Sequence, residues 1–515
     1  MRNSIRFMSQ MSVPKIGVCL ACVLICAEAF SSSAIAQQQG GQQGGQQGGQ
    51  QGGQQGGQQG GQQGGQQGGQ QGGQQQGGGA GAGQGSQAGG AGVVVDPQGV
   101  LRVLSMSDSN LSKIRQRSSI EQLPKNLQRP SKLRKVALGR LETALAKTLE
   151  SGGALSDEMT NLAGLTQIRY VFVYPATSDS PGEVVLAGPA EPWAEDSFGR
   201  PIGIESEAPT VQLEDLAAAM RVFPPGQPLD QLVGCSIDPT QEGLARMQTY
   251  LESIGPVIPR GTTDRNITRG LRESLGPQTV TVQGVSPHTH FAQVLVEADY
   301  RMKLIGIGLE KPPVRMSTWI DLTSPGSVAK NALQRWFFTP NYECLKVSED
   351  DLAIELVGEG VKLIGADEMV LPDGRRMSSQ QPSRASKLFT QAFTLKYPQI
   401  ARQHPVYAQL KTLIDLAIIA AYMQEHGSYE SAGWSAEVLL DESAYPIERF
   451  VAPKKIDCAV NAVRRGSRLL TPIGGGVVIT PRESFAQGTL QIDETGTLHE
   501  ERDNLSIPSD TWWWD

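Results

Sequence analysis

Residues 286–303 read SPHTHFAQVLVEADYRMK. Two of the chain's five histidines, His288 and His290, stand two apart, and Glu297 and Asp299 follow them. A strand would aim both imidazoles to one side and set up a metal site. A helix would turn them roughly 200° apart, where they cannot converge on one ion. The apolar positions decide between the two. Phe291, Val294, Leu295, Ala298, Met302 and Ile305 are spaced as one face of a helix. A strand would put Gln293, Glu297 and Asp299 on the same side as Phe291 and Leu295. Ser286 suits an N-cap, Pro287 a first helical position, and Gly306 and Gly308 a stop. Zinc sites on helices use i,i+4 spacing instead. His288 and His290 therefore read as helix-terminus residues and weak metal candidates, with no metal or cofactor expected. Glu297 and Arg301 read as an i,i+4 ion pair.

The strand before this helix, QTVTVQGV at 278–285, alternates strictly. Further out the chain mixes both element types. VVVDPQGVLRVLSM at 93–106 has a turn sequence between two apolar runs and predicts a hairpin. Residues 168–175 and 182–188 read as strands, and 211–223 as a helix. PPGQP at 224–228 is the best internal boundary. QLVGCSID at 231–238 is a strand; 239–254 and 264–276 are helices. RWFFTPNYECL at 335–345 is an aromatic strand, and LAIELVGEGVKLIG at 352–365 predicts a hairpin around GEG. Two helices follow, at 386–397 and 405–426. The second is apolar enough for a central core helix. TPIGGGVVITP at 471–481 lacks the spacing and lysine of a phosphate-binding loop and reads as a strand with a turn or bulge. The predicted class is α+β, with mixed α/β as the alternative.

Not all 515 residues belong to this body. Arg2, Arg6 and Lys15 precede the apolar run IGVCLACVLICA at 16–27, and AIA closes the segment at 34–36. That order predicts a secretory signal peptide cleaved after Ala36. Its C-x-x-C goes with it, leaving Cys235, Cys344 and Cys458. Three cysteines are too few for a disulfide framework; one disulfide plus a thiol, or three thiols, both fit. Nine copies of QQGG fill 38–73, and a glycine-rich coda runs to Gly92. This segment cannot bury enough apolar surface to offset the entropy of ordering, so it reads as a disordered tether. The expected divisions are therefore 1–36 signal, 37–92 tether, 93–225 α+β, 226–310 α/β, 311–487 α+β, and a tail at 488–515.

The signal holds three of the 45 basic residues and one of the 52 acidic ones, so the mature chain carries a net −9. That excludes a general basic footprint for nucleic acid. The basic stretch at 113–140 lacks interleaved aromatics; it reads as a solvated linker running into a helix that starts near Ser131. The apolar run at 413–423 contains Asp415 and is short, so no transmembrane helix is expected in the mature chain.

VEADYRMKLIGIGLE, RWFFTPNYE, ELVGEGVKLI, HPVYAQLKTLIDLAIIAA and PIGGGV occur in that order. Together they resemble an uncharacterised family of secreted bacterial proteins of planctomycete type, a domain of unknown function, over most of 93–483. The resemblance implies residence in the envelope or outside the cell and carries no catalytic residues.

Catalytic signatures are sparse. No H-E-x-x-H, G-x-S-x-G or G-x-G-x-x-G is present. SVAK at 327–330 satisfies S-x-x-K, but its S-D-N and K-T-G partners are absent. The tail at 488–515 holds seven acids and one arginine and ends in SIPSDTWWWD. Three consecutive tryptophans cannot all face one core. Trp512, Trp513 and Trp514 are therefore candidate contacts for an envelope protein or polymer, unless the tail folds back onto its own body. The expectation is a secreted, envelope-associated, non-catalytic binding or assembly protein. The alternative is a hydrolase of an envelope or extracellular polymer acting through unidentified carboxylates.

Overall fold

The computed structural model describes residues 92–104, 123–178, 180–255, 263–323, 332–358, 360–373, 375–378, 382–461, 463–465, 468–470 and 473–515. The signal peptide, the QQGG repeat, the first part of the basic stretch and the S-x-x-K at 327–330 lie outside the described residues.

Strands β1 (Val93–Val95) and β2 (Val100–Val103) form the expected hairpin. Asp96 closes it by accepting from the Gln98 and Val100 amides. Strand β3 (Ser131–Ala137) runs into helix α1 (Leu138–Glu150). Then come β4 (Tyr170–Tyr174), β5 (Glu183–Ala190), β6 (Trp193–Glu195), β7 (Pro201–Gly203) and helix α2 (Leu213–Val222). The middle of the chain supplies β8 (Val233–Asp238), α3 (Gln241–Ile254), α4 (Asp264–Leu275), β9 (Gln278–Gln283) and α5 (His290–Gly306). Strands β10 (Ala332–Pro340), β11 (Leu345–Val347), β12 (Ala353–Leu356), β13 (Val361–Gly365), β14 (Glu368–Val370) and β15 (Arg376–Ser378) precede two long helices, α6 (Arg384–Gln403) and α7 (Pro405–Glu425). The chain finishes with β16 (Lys455–Ile456), β17 (Val463–Arg465), β18 (Arg468–Leu470), β19 (Ile473–Ile479), β20 (Gln491–Ile492), α8 (Thr497–Asp503) and β21 (Trp513–Trp514).

Two large sheets organise most of these elements, while β6 with β7 and β17 with β18 form separate two-stranded pairs. The larger has the order β1-β2-β16-β9-β8-β19-β10-β14-β15, with β13 also on β10. The smaller runs β20-β11-β12-β4-β5-β3-β21. Parallel pairs (β10 with β19, β2 with β16, β11 with β20) mix with antiparallel ones, and the class is α+β. Helix α5 packs across β8 and β19, and α7 packs on α2, α5 and α6. Helices α3 and α4 cover the opposite face of the larger sheet through Leu244, Met247, Ile267 and Leu271 against Leu333 and Val370. α7 is also the one helix among the described residues long and apolar enough to cross a membrane; 83% of its apolar window is buried in the protein.

The centre of the larger sheet is a close approach of β8, β19 and β10. A Cβ on Gly476 would lie 1.9 Å from the Cys235 carbonyl oxygen, and one on Gly475 1.9 Å from that of Trp336. Gly475 also has φ +132°, which side chains rarely adopt. The expected turn or bulge does not form: the three glycines pair in unbroken register with β10 on one side and Gly476 with β8 on the other, and their lack of side chains permits the close approach.

Three other expectations are corrected. The helix expected from Ser131 begins only at Leu138, because 131–137 is a strand held between β5 and β21. Those partners are remote in sequence, and tertiary pairing overrides local propensity. The hairpin around GEG does not form. β12 is already flanked on both edges by β11 and β4, while β13 pairs with β10 in the other sheet. Gly358 and Gly360, both at φ +71°, turn the chain from one sheet to the other. Finally, α5 starts three residues later than Pro287, with Thr289 as its N-cap.

Gly476→Ala would force the β8 and β19 backbones apart. The expected loss is about 3 kcal/mol or more, read from urea unfolding; a change below about 0.5 kcal/mol would show that the sheet centre adapts freely.

Candidate functional site

The start of α5 gives the two histidines separate environments. Ser286 to Thr289 forms a turn, and the Thr289 hydroxyl accepts from the Ala292 amide. His288 precedes the helix and is exposed; its Nδ1 donates to the Phe450 carbonyl at 2.8 Å. His290 opens the helix and is buried, with Nδ1 2.9 and 3.0 Å from the two carboxylate oxygens of Asp215 on α2. The two imidazoles therefore engage different groups. Among the described residues, no group of three or more His, Cys, Asp or Glu side chains is arranged to hold a metal ion.

The acidic residues of the same helix are more deeply engaged than the sequence suggests. Glu297 is fully buried and accepts from Arg301 Nε at 2.7 Å, from Arg200 Nη2 at 2.8 and 2.9 Å, and from the Gly92 amide at 2.8 Å. Burial opposes its ionisation, but the two guanidiniums and the amide hold the carboxyl below its usual range. The expected i,i+4 pair is present, and it also ties α5 to the β1–β2 hairpin and to the turn before β7. Two residues on, Lys303 Nζ donates to Asp299 at 2.7 Å and to the carbonyls of Ile237 and Gly475, each at 3.0 Å. Burial pushes the Asp299 carboxyl up to about 6, against the pull of Lys303.

A third cluster lies where α7 begins. Arg301 reaches Glu310 at 3.2 Å, and His404 Nε2 stands 3.7 Å from the same carboxylate. Burial pushes the His404 imidazole down to about 4. His404 Nδ1 and the Tyr407 hydroxyl are buried with no hydrogen-bond partner among the described residues. The adjoining chain lines a cleft of about 420 Å³ formed by Pro313, Val314, Gln399, Arg402 and Gln403.

The tryptophan tail packs onto the smaller sheet. β21 pairs antiparallel with β3, Trp513 opposite Val136 and Trp514 opposite Lys135, and the Ala137 amide donates to the Trp512 carbonyl at 2.8 Å. Trp512 and Trp513 are only 9% and 8% exposed and join the main core. Trp514 turns to the other face with Leu498, Leu505 and Ile507, covering Phe172, Val185, Ala187 and Ala353. Arg134, 0% exposed, locks the strand in place. Its Nε and Nη2 fork onto the Asp515 carboxylate at 2.8 and 3.1 Å, and Nη1 donates to the Ala163 carbonyl at 2.7 Å. Its guanidinium lies 4.9 Å from the centre of a Trp513 ring. Burial opposes ionisation of Asp515, yet hydrogen bonds from Arg134 and Ser131 hold its carboxyl low. Sequence reasoning missed Arg134 inside its basic stretch. Only a strand reading of 131–137, which puts Arg134 on the same face as Val136, would have singled it out.

Lys303→Met leaves Asp299 buried without its cation and two strand carbonyls unpaired. It should cost about 3–5 kcal/mol, while Asp299→Leu combined with Lys303→Met should recover most of that. Denaturation of both variants checks this. Because the folded pKa of Asp299 lies above its ordinary value, its contribution is complete below about pH 4 and lost as pH rises through about 6. The unfolding free energy of wild type should therefore fall relative to Asp299→Asn across that window; parallel profiles would refute it. Among known proteins, a family model described as Protein of unknown function (DUF1598) matches residues 235–319, the span from β8 through α5 to Trp319. No curated protein and no solved structure matches the chain.

Proposed function

We propose that this chain is a secreted, envelope-associated, non-catalytic binding or assembly protein, of the planctomycete-type family that its motifs resemble. Its recognition element is the β3 edge of the smaller sheet. One observation carries the reading: that edge is completed by a strand from the tail rather than by the body of the sheet. An open edge presents a row of unpaired amides and carbonyls and is a template for another strand. Here only two residues, Trp513 and Trp514, form the covering strand. The pairing is short, yet it is anchored by a buried arginine, which gives the edge sequence selectivity that generic strand addition lacks. The tryptophans then act as the contact residues of a docked strand, first within the chain.

A photoreactive residue in place of Lys135, on β3 beside Trp514, tests the reading in the producing cell. A crosslink to an envelope component or to a second copy of the chain at this position, and none from the same residue at Lys387 on α6, is the expected result. Equal yields at both positions, or none at Lys135, would remove recognition from this edge.

A further inference from the structure

Resting on that reading, we propose that the strand which occupies the β3 edge in an assembly is residues 511–515 of a second copy of this chain. The groove is built for one sequence. Arg134 is fully buried and offers a planar fork that fits a carboxylate, two residues beyond the tryptophan whose ring it faces. The main core accepts Trp512, which precedes the strand, and Trp513, and the outer cluster accepts Trp514 from the opposite face. A partner must therefore bring an aromatic pair in adjacent strand positions and then an acid. The chain carries that segment itself. A second copy would reproduce every contact without any new surface, which is why exchange of an identical element is a low-cost route to association.

The connection is suited to exchange. Between α8 and β21 the chain is neither helix nor strand, and residues 506–510 make no backbone hydrogen bond among the described residues. Pro508 lies within it. Its hold on the body is apolar packing of Leu505 and Ile507 against the outer cluster. Within one molecule the tail meets its groove at an effective concentration on the order of millimolar, so the closed form dominates in dilute solution. Exchange takes over when copies are crowded or when the connection is too short to close.

The test uses the full chain with residues 506–509 deleted. Four residues shorten the reach by up to about 14 Å, which disfavours return to the chain's own β3 relative to the β3 of another copy. Light scattering after gel filtration should give a dimer at least ~100-fold tighter than that of the intact chain. Adding Asp515→Lys, a half-exposed position, should return it to monomer. Hydrogen exchange should keep the Ala137 amide protected in the dimer and lose that protection with Asp515→Lys. A shortened chain that stays monomeric, or that associates equally well with Asp515→Lys, overturns the exchange. In that case a Lys135 crosslink to a different protein would leave the edge-binding reading standing. An Ala137 amide unprotected in the intact chain would sink both.

Discussion

The Lys303 ammonium stands where helix α5 crosses the larger sheet, and its three donors go to Asp299 and to the carbonyls of Ile237 and Gly475. Much of the body depends on this arrangement. β19 must lie between β8 and β10 at glycine-limited distance, and at Gly475 its backbone leaves the ordinary strand conformation. The Gly475 carbonyl faces the helix, where an unmet acceptor would cost about 1–3 kcal/mol. The lysine meets it, together with the β8 carbonyl beside it, and Asp299 balances the charge. One helical stripe thereby fixes the register of two strands. Glu297, six residues earlier, does the same for the β1–β2 hairpin through Gly92 and for the turn before β7 through Arg200. Such pairs contribute little net stability, since their desolvation nearly offsets their attraction. What they do supply here is position: shifting α5 by one residue would leave several charges unmatched at once.

This division of labour explains what the sequence could show. The face of α5 is local, and six apolar residues at helical spacing reveal it without knowledge of the rest. The same holds for the β1–β2 hairpin and for α7. The partners of Glu297 and Lys303 are 66 to 205 residues away, so only the i,i+4 members Arg301 and Asp299 were within reach of pattern reading. The strand Ser131–Ala137 was hidden for the same reason. Its lysines, arginine and leucine have good intrinsic helix propensity, and what makes it a strand is β5 and β21. The glycines at 358 and 360 punctuate the chain as a hairpin would, yet they serve a crossover between sheets. The sequence cannot say which, because both uses need the same positive φ.

The smaller sheet poses a different problem. Its inner face belongs to the main core, but its outer face would show Phe172, Val185, Ala187 and Ala353 to water without the tail. Helix α8 and residues 505–514 therefore serve as a cover as much as a strand. Tyr174 holds the end of α8 through the Arg502 carbonyl at 2.8 Å, and Arg502 holds Asp350 at 2.7 Å. Truncation would thus expose apolar surface as well as the β3 edge, and could not separate recognition from stability. Alternation resolves the tryptophans: Trp513 and Trp514 are neighbours on a strand and so face opposite sides.

Arg134 also limits how the tail can leave. A guanidinium with no exposure and no carboxylate beside it is among the more costly defects a core can hold, on the order of 3–5 kcal/mol when one partner of a buried pair is removed. The emptied seat of Trp513 would add a cavity cost of similar size. An open groove is therefore a rare state, and a partner that waited for it would bind slowly. Substitution is cheaper than opening. A strand bringing its own acid can begin to pair along β3 while the resident tail is still leaving, so that Arg134 is never without a carboxylate. The same buried charge that makes the closed chain specific thus favours replacement by a like strand over simple release.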